Sequence, residues 1–85
     1  MKDLEQFRQD IDETDRELVA LLVKRMGISR EIGAYKKERG LKVYDPEREK
    51  LIIERLRRSA GDDPAIQDAV AQVYERIFEA SRGLQ

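Results

Sequence analysis

Apolar residues recur along the chain with the spacing of α-helices, and the first helix carries the strictest pattern. Two sets of positions repeat every seven residues there, and eight of the ten are apolar or aromatic. Such a pattern is typical of a helix that packs along its whole length against another helix. The first set is Leu4, Ile11, Leu18, Arg25 and Ile32, and the second is Phe7, Thr14, Leu21, Ile28 and Tyr35.

Two Asp-Pro dipeptides and one glycine mark the helix boundaries. Asp45-Pro46 and Asp63-Pro64 each place an N-cap aspartate before a proline suited to the first helical position. Gly40 follows a run of cations, as a glycine at a helix C-terminus does. The sequence therefore predicts an all-α fold in a single domain over residues 1–85. The predicted helices run from Asp3 to Arg39, from Pro46 to Ser59 and from Pro64 to about Arg82.

The length of the first helix predicts how the chain assembles. Some 36 helical residues extend ~54 Å. A compact chain of 85 residues has a radius of gyration of only about 12 Å, so this helix would project beyond its own globule. We therefore predict an intertwined homodimer in which the long helices pair antiparallel and the two shorter helices fold back over them.

Composition restricts the chemistry that the chain can perform. It has 17 Lys and Arg, 18 Asp and Glu, a net charge of -1, and neither Cys nor His. Thiol nucleophiles, imidazole bases and the usual zinc sites are therefore excluded, which leaves carboxylates, cations, amides and hydroxyls. The balanced charge argues against a nucleic-acid module, and DNA binding through the cluster at residues 36–42 is a minor alternative.

The sequence also indicates where the protein resides. The longest apolar run, Leu18 to Val23, is too short to span a bilayer, and the N-terminal residues lack the apolar segment of a signal peptide. We therefore expect a soluble cytoplasmic protein with no membrane partner.

Several charged residues fall on helix faces that should be apolar. Arg25 and Lys36 lie near the middle of the apolar face of the first helix, and Asp45, Arg48 and Glu49 share one face of the second. Each has an ordinary explanation: Arg25 as a register-setting residue bonded to a partner-chain carboxylate, and Lys36 as a complement to the helix C-terminus. Asp45 alone is explained as an N-cap, and Arg48 and Glu49 as a solvated first turn. Together they would form a cavity of net positive charge that suits a small polyanion.

Arg8, at the edge of the heptad face, joins this set only across a dimer. It lies 28 residues from Lys36, or ~42 Å along one helix, so one small molecule cannot touch both in a single chain. In an antiparallel pair, Arg8 of the partner subunit would lie near Arg25 and Lys36. Two equivalent sites per dimer would follow.

Five segments, in this order and spacing, resemble the all-helical, AroQ-type (type II) chorismate mutases of the shikimate pathway, which supplies aromatic amino acids. Single segments are weak signals, but the ordered set spans essentially the whole chain. The segments are Phe7-Arg8-x-x-Ile11-Asp12-x-x-Asp15, Leu21-Leu22-x-Lys24-Arg25, Ile32-Gly33-x-x-Lys36, Asp45-Pro46-Glu47-Arg48-Glu49 and Glu79-Ala80-Ser81-Arg82-Gly83-Leu84-Gln85.

The resemblance implies a substrate and the residues that bind it. The reaction would be the Claisen rearrangement of chorismate, a small dianion, to prephenate, with no cofactor and no metal. By position, Arg25, Arg48 and Arg8 of the partner subunit would bind the two carboxylates of chorismate, with Ser81 assisting.

The resemblance also implies residues that act on the reacting bonds. Lys36 and Gln85 would address the ether oxygen, where negative charge develops. Glu49 and Asp45 would contact the hydroxyl side of the ring, with Glu49 close to the breaking bond. The implied catalytic set is therefore Lys36, Glu49, Gln85 and Arg25.

Two alternative functions remain open at this point. Isochorismate pyruvate lyases resemble the same fold and share the cations of the first helix, but they generally lack the carboxylate that Glu49 supplies here. A non-enzymatic helical dimerisation module, such as a regulatory partner of a larger enzyme, would have no use for Arg25 and Lys36 on its apolar face.

Overall fold

The computed structural model describes residues 1–85 as three α-helices and no strands. The helices are α1 (Leu4–Arg39), α2 (Pro46–Ser59) and α3 (Pro64–Leu84). The predicted all-helical class and the number of helices are confirmed, and every predicted boundary lies within two residues of the observed one. The end of α3 differs because Gly83 does not adopt the positive φ angle that ends α1 at Gly40.

Side-chain caps explain why the helices begin where they do. Asp45 Oδ1 accepts a hydrogen bond from the backbone N–H of Arg48 at 3.1 Å, and Asp63 Oδ1 accepts one from the N–H of Ala65 at 2.9 Å. Such a cap stabilises a helix by about 1 kcal/mol. The prolines that follow each aspartate fix the first helical φ angle. The caps place the first turn of α2, which carries several predicted site residues, at a defined position.

The helices form an open arrangement rather than a closed bundle. α3 packs against both α1 and α2, whereas α1 and α2 do not pack against each other. The chain measures 56 × 25 × 15 Å and has a radius of gyration of 16.0 Å, well above the ~12 Å expected for a compact chain of this length. The long helix therefore projects from the rest of the chain, as its length predicted.

The single chain buries very little. Only five residues are buried, namely Ser29, Gly33, Ala71, Phe78 and Ser81. The N-terminal half of α1 leaves its apolar face uncovered, with Phe7 51%, Ile11 60% and Leu18 50% exposed. None of the three helices has the length and apolarity needed to cross a membrane.

Candidate active site

A cavity of about 550 Å³ lies where the C-terminal half of α1, one face of α2 and the C-terminal half of α3 converge. Its volume is in the range of sites that bind small molecules. Two carboxylates, Asp45 and Glu49, face an excess of cations, so the lining carries three net positive charges. The cations are Arg25, Lys36, Arg48, Arg55 and Arg82.

The structure brings seven of the eight predicted site residues to this cavity. They come from all three helices and from the N-cap of α2: Arg25, Lys36, Asp45, Arg48, Glu49, Ser81 and Gln85. The eighth, Arg8, lies 17 residues before Arg25 on the exposed part of α1, about 26 Å away along the helix. Within one chain, Arg8 does not reach the cavity.

Arg25 is held in the cavity by groups that leave its charge uncompensated. Its Nη1 donates to Ser81 Oγ at 3.0 Å, and that hydroxyl in turn donates to Met26 Sδ at 3.6 Å. The guanidinium carbon lies 5.6 Å from the ring centroid of Tyr74 and 5.8 Å from that of Phe78. Cation–π contacts and a neutral acceptor orient the guanidinium without neutralising it.

Lys36, like Arg25, is held by a neutral partner that leaves its charge uncompensated. Its half-buried side chain reaches across to the loop between α1 and α2, where Nζ donates to the carbonyl oxygen of Val43 at 3.0 Å. A carbonyl satisfies one of the three donors of the ammonium group and leaves its positive charge in place. The contact also fixes the loop beside the cavity.

The first turn of α2 presents the two carboxylates and one of the cations. Asp45 is the N-cap, as its sequence context indicated, and it also lines the cavity. Its Oδ1 is occupied by the backbone N–H of Arg48, so the carboxylate has one oxygen in use. Glu49 pairs with Arg82 through a side-chain hydrogen bond between Oε2 and Nη1.

Arg82, which lines the cavity, connects three parts of the chain. Its guanidinium pairs with Glu49 of α2 and lies 4.8 Å from the ring centroid of Tyr44 in the loop. The hydrogen bond to Glu49 raises the pKa of Arg82 above its ordinary value. The guanidinium therefore remains charged throughout the pH range in which proteins are assayed.

Gln85 packs directly on the backbone of α1 at Gly33. A methyl group added at Gly33 would lie 2.6 Å from Gln85 Cα, closer than real Cβ atoms come to a neighbour, and 3.0 Å from its carbonyl oxygen. Gln85 Oε1 is buried and has no hydrogen-bond partner. Leaving a buried acceptor unpaired costs about 1–3 kcal/mol, so this oxygen lacks a donor as its partner.

Two charged residues of the cavity were missing from the sequence-based set. Arg55 lies seven residues after Arg48, on the same face of α2, and Arg82 lies four residues after Phe78, on the same face of α3. Helical spacing alone could have included both. The family resemblance gave neither a role, because Arg55 lies outside its five segments and Arg82 lies in the last segment without an assigned function.

The chain combines an all-helical fold with a cationic cavity between its helices, a kind of site suited to a small anion. A family model described as chorismate mutase type II matches residues 7–85. Two solved structures of chorismate mutase from Thermus thermophilus share the fold at 30% sequence identity. Form II superposes with a TM-score of 0.83 over 94% of this chain and 90% of that one. Form I superposes with a TM-score of 0.81 over 94% of this chain and 99% of that one.

Curated relatives support the same assignment. A chorismate mutase of Methanocaldococcus jannaschii is 27% identical over 96% of this chain and 83% of its own length. A bifunctional chorismate mutase/prephenate dehydratase of Aquifex aeolicus is 32% identical over the whole of this chain, which spans only 24% of that protein. The chain therefore belongs to the type II chorismate mutase family.

Proposed function

We propose that this chain is an enzyme, a chorismate mutase, which rearranges chorismate to prephenate in a dimer of two identical 1–85 domains in the cytoplasm. Family membership and the fold support the reaction. The observation that carries the proposal is the cavity itself, where Arg25 and Lys36 are held by neutral partners. Their charges are therefore available to a dianion.

Binding of the two carboxylates would select the reactive shape of the substrate. Arg25 and Arg48 present planar guanidinium groups, whose paired donors match a carboxylate. Ser81, already hydrogen-bonded to Arg25, orients that guanidinium, and its hydroxyl would turn from Met26 Sδ to donate to the same carboxylate. Holding both carboxylates at once favours the compact conformer in which the two ends of the reacting system meet.

The chemical step would rest on charge at the ether oxygen. One carbon–oxygen bond breaks while a carbon–carbon bond forms within the same molecule, so no proton or electron enters or leaves. Negative charge grows on the ether oxygen, and donors from Lys36 Nζ and the Gln85 amide would stabilise it more in the transition state than in the ground state. Lys36 would exchange its contact with the Val43 carbonyl for this oxygen.

The two carboxylates of the cavity would contact the substrate on the side opposite the ether oxygen. Asp45 and Glu49 are acceptors and suit the hydroxyl group of the ring. Glu49 would also lie beside the breaking bond, where the ring becomes electron-poor. The presence of Glu49 in the cavity favours the mutase over isochorismate pyruvate lyase.

A second copy of the chain would complete both the core and the site. The uncovered apolar face of α1 supports a pair of long helices. If Arg8 of the partner subunit lies between Arg25 and Lys36, it faces about residue 30 of the first chain. The two-fold axis then crosses α1 halfway between residues 8 and 30, near residue 19. That position is close to the middle of Leu4–Arg39, so the two helices would overlap along nearly their whole length.

The central experiment is the purified chain with chorismate in the presence of a metal chelator. Loss of the ultraviolet absorbance of chorismate and formation of prephenate are expected without any added cofactor. A folded dimer that leaves chorismate unchanged would contradict the proposal and favour the dimerisation module. Isochorismate is tested in parallel, and release of pyruvate from it as the preferred reaction would favour the lyase.

Sharing of the site is tested by mixing two inactive chains. Arg8→Ala and Lys36→Ala each disable both sites of their own homodimer, whereas their heterodimer has one intact site. Random pairing of equal amounts should restore about a quarter of wild-type activity. The control is the Lys36→Ala homodimer alone, at the same total concentration of chains. Recovery no greater than in this control would show that Arg8 does not act across subunits.

The direction of the helices can be measured independently of activity. Since the chain contains no cysteine, one introduced cysteine carries a single spin label. A label at Glu5→Cys should give a separation of roughly 40 Å or more between the two copies, because these positions lie at opposite ends of an antiparallel pair. A label at Glu17→Cys, near the proposed axis, should give a much shorter one. Short separations at both positions would indicate parallel helices instead.

A further inference from the structure

Arg82 is a charged residue of the cavity that the proposed mechanism does not use. It lies in the last turn of α3, directly after Ser81, and its side chain is only 31% exposed. Glu49, with which it pairs, is 23% exposed. The position therefore differs from that of an ordinary surface ion pair, which is solvated on all sides and contributes little.

Arg82 is the one cation of the cavity that already has a carboxylate partner. Arg25 donates to a hydroxyl and Lys36 to a carbonyl, while no ion pair forms to Arg48 or Arg55. A guanidinium paired with Glu49 offers less attraction to a second anion than an unpaired one does. Arg82 is thus poorly suited to be another ligand for the substrate carboxylates.

The same contacts make Arg82 well suited to fix the position of Glu49. A glutamate side chain has three rotatable bonds, and alone it would move among several rotamers. The guanidinium that holds it is itself restrained, because it lies against the ring of Tyr44 at 4.8 Å from the centroid. Tyr44 of the loop therefore restrains Arg82, and Arg82 restrains the carboxylate of Glu49.

We propose that Arg82 is a positioning residue, which holds the Glu49 carboxylate in the orientation required beside the breaking bond. The inference rests on the proposed role of Glu49 in the rearrangement. It assigns to Arg82 an effect on the chemical step and not on substrate affinity, since the groups that bind the carboxylates are others.

The test is Arg82→Gln, with Arg76→Gln as its matched control. Arg76 lies on the same helix and also pairs with a glutamate, Glu79 at 2.9 Å, but its side chain is 83% exposed. We expect Arg82→Gln to lower kcat about 10- to 100-fold, the loss typical of a misplaced group, and to change KM by less than about threefold. Arg76→Gln should leave both constants unchanged.

Circular dichroism and a double-mutant cycle distinguish the positioning of Glu49 from a merely structural role of Arg82. If Arg82→Gln does not fold, the experiment uses Arg82→Lys instead. Lysine keeps the charge and the aliphatic stem but lacks the planar guanidinium, so the same loss in kcat is expected. In a Glu49→Gln background, the Arg82 substitution should cost less than about threefold in kcat. A full additional loss in that background would overturn the inference.

Other outcomes also distinguish the inference from the proposed function. A rise in KM with constant kcat would overturn it by showing that Arg82 binds the substrate directly. Wild-type kinetics for Arg82→Gln, with a large loss for Glu49→Gln, would overturn the role of Arg82 alone. No loss for Glu49→Gln would remove the proposed role of Glu49 and the inference with it. A wild-type chain that does not convert chorismate would contradict the proposed function itself.

Discussion

Replacing Gly33 by alanine should lower the rate of the reaction without unfolding the protein. Gly33 is buried in α1, and a Cβ there would lie 2.6 Å from Gln85 Cα, whereas an ordinary contact begins at 3.4 Å. Gln85 must therefore move away from α1 by about 0.8 Å. A misplacement of about 1 Å in a catalytic group can cost on the order of 100-fold in rate. We expect kcat to fall by roughly 30- to 100-fold.

The effect on stability should be small because two terms oppose each other. Alanine in place of glycine inside a helix stabilises by about 1 kcal/mol, and overpacking costs about 1–3 kcal/mol. Gly27 provides the matched control, because it lies on the same helix and an added Cβ meets nothing within 4 Å. Gly27→Ala should raise the melting temperature by about 4–8 °C and leave the kinetics unchanged.

The assay is chorismate turnover at saturating substrate, with thermal unfolding followed by circular dichroism. Gln85→Ala supplies the reference, and in that background Gly33→Ala should cost little more. If Gly33→Ala keeps the wild-type kcat while Gln85→Ala loses it, the close packing does not position the amide. If neither variant loses activity, Gln85 does not act on the ether oxygen.

Three further predictions concern the cap, the hydroxyl and the charge of the cavity. Asp45→Asn should keep the helix cap while Asp45→Ala loses about 1 kcal/mol of stability in thermal unfolding; equal losses would show that the cap is not the stabilising contact. Ser81→Ala should raise KM about tenfold, or about 1.4 kcal/mol, because Arg25 loses its hydroxyl partner; an unchanged KM would refute that role. Added salt should raise KM several-fold with little change in kcat, since it screens a dianion from the cations, and a KM independent of salt would contradict a charge-driven site.

The helices could be predicted from sequence because their signals are local. An aspartate followed by proline favours a helix start through local geometry alone, and the caps at Asp45 and Asp63 occur as expected. The heptad pattern of α1 likewise needs no knowledge of the rest of the chain. The end of α3 was less accurate because a glycine can continue a helix as well as end one, and Gly83 continues it.

Helical periodicity could predict the cavity only as far as one helix determines it, and the site residues at the start of α2 and the end of α3 were assigned their roles through the family resemblance. Spacing places Arg25 and Lys36 on one face of α1, and the structure brings both to the cavity. The pairing of Glu49 with Arg82 joins residues 33 positions apart and depends on how α2 crosses α3. Contact of Gly33 with Gln85 depends in the same way on the distance between two helix backbones, which periodicity does not determine.

The charge of the cavity links the stability of this protein to its function. Over the whole chain acids and bases nearly cancel, to a net charge of -1, yet five cations face only two carboxylates in one cavity. Neutral partners orient Arg25 and Lys36 without offsetting their charge, so a bound dianion would supply the compensating charge. A ligand that binds only the folded chain also shifts the unfolding equilibrium toward the fold. The substrate should therefore raise the stability of the protein through the same cations that bind it.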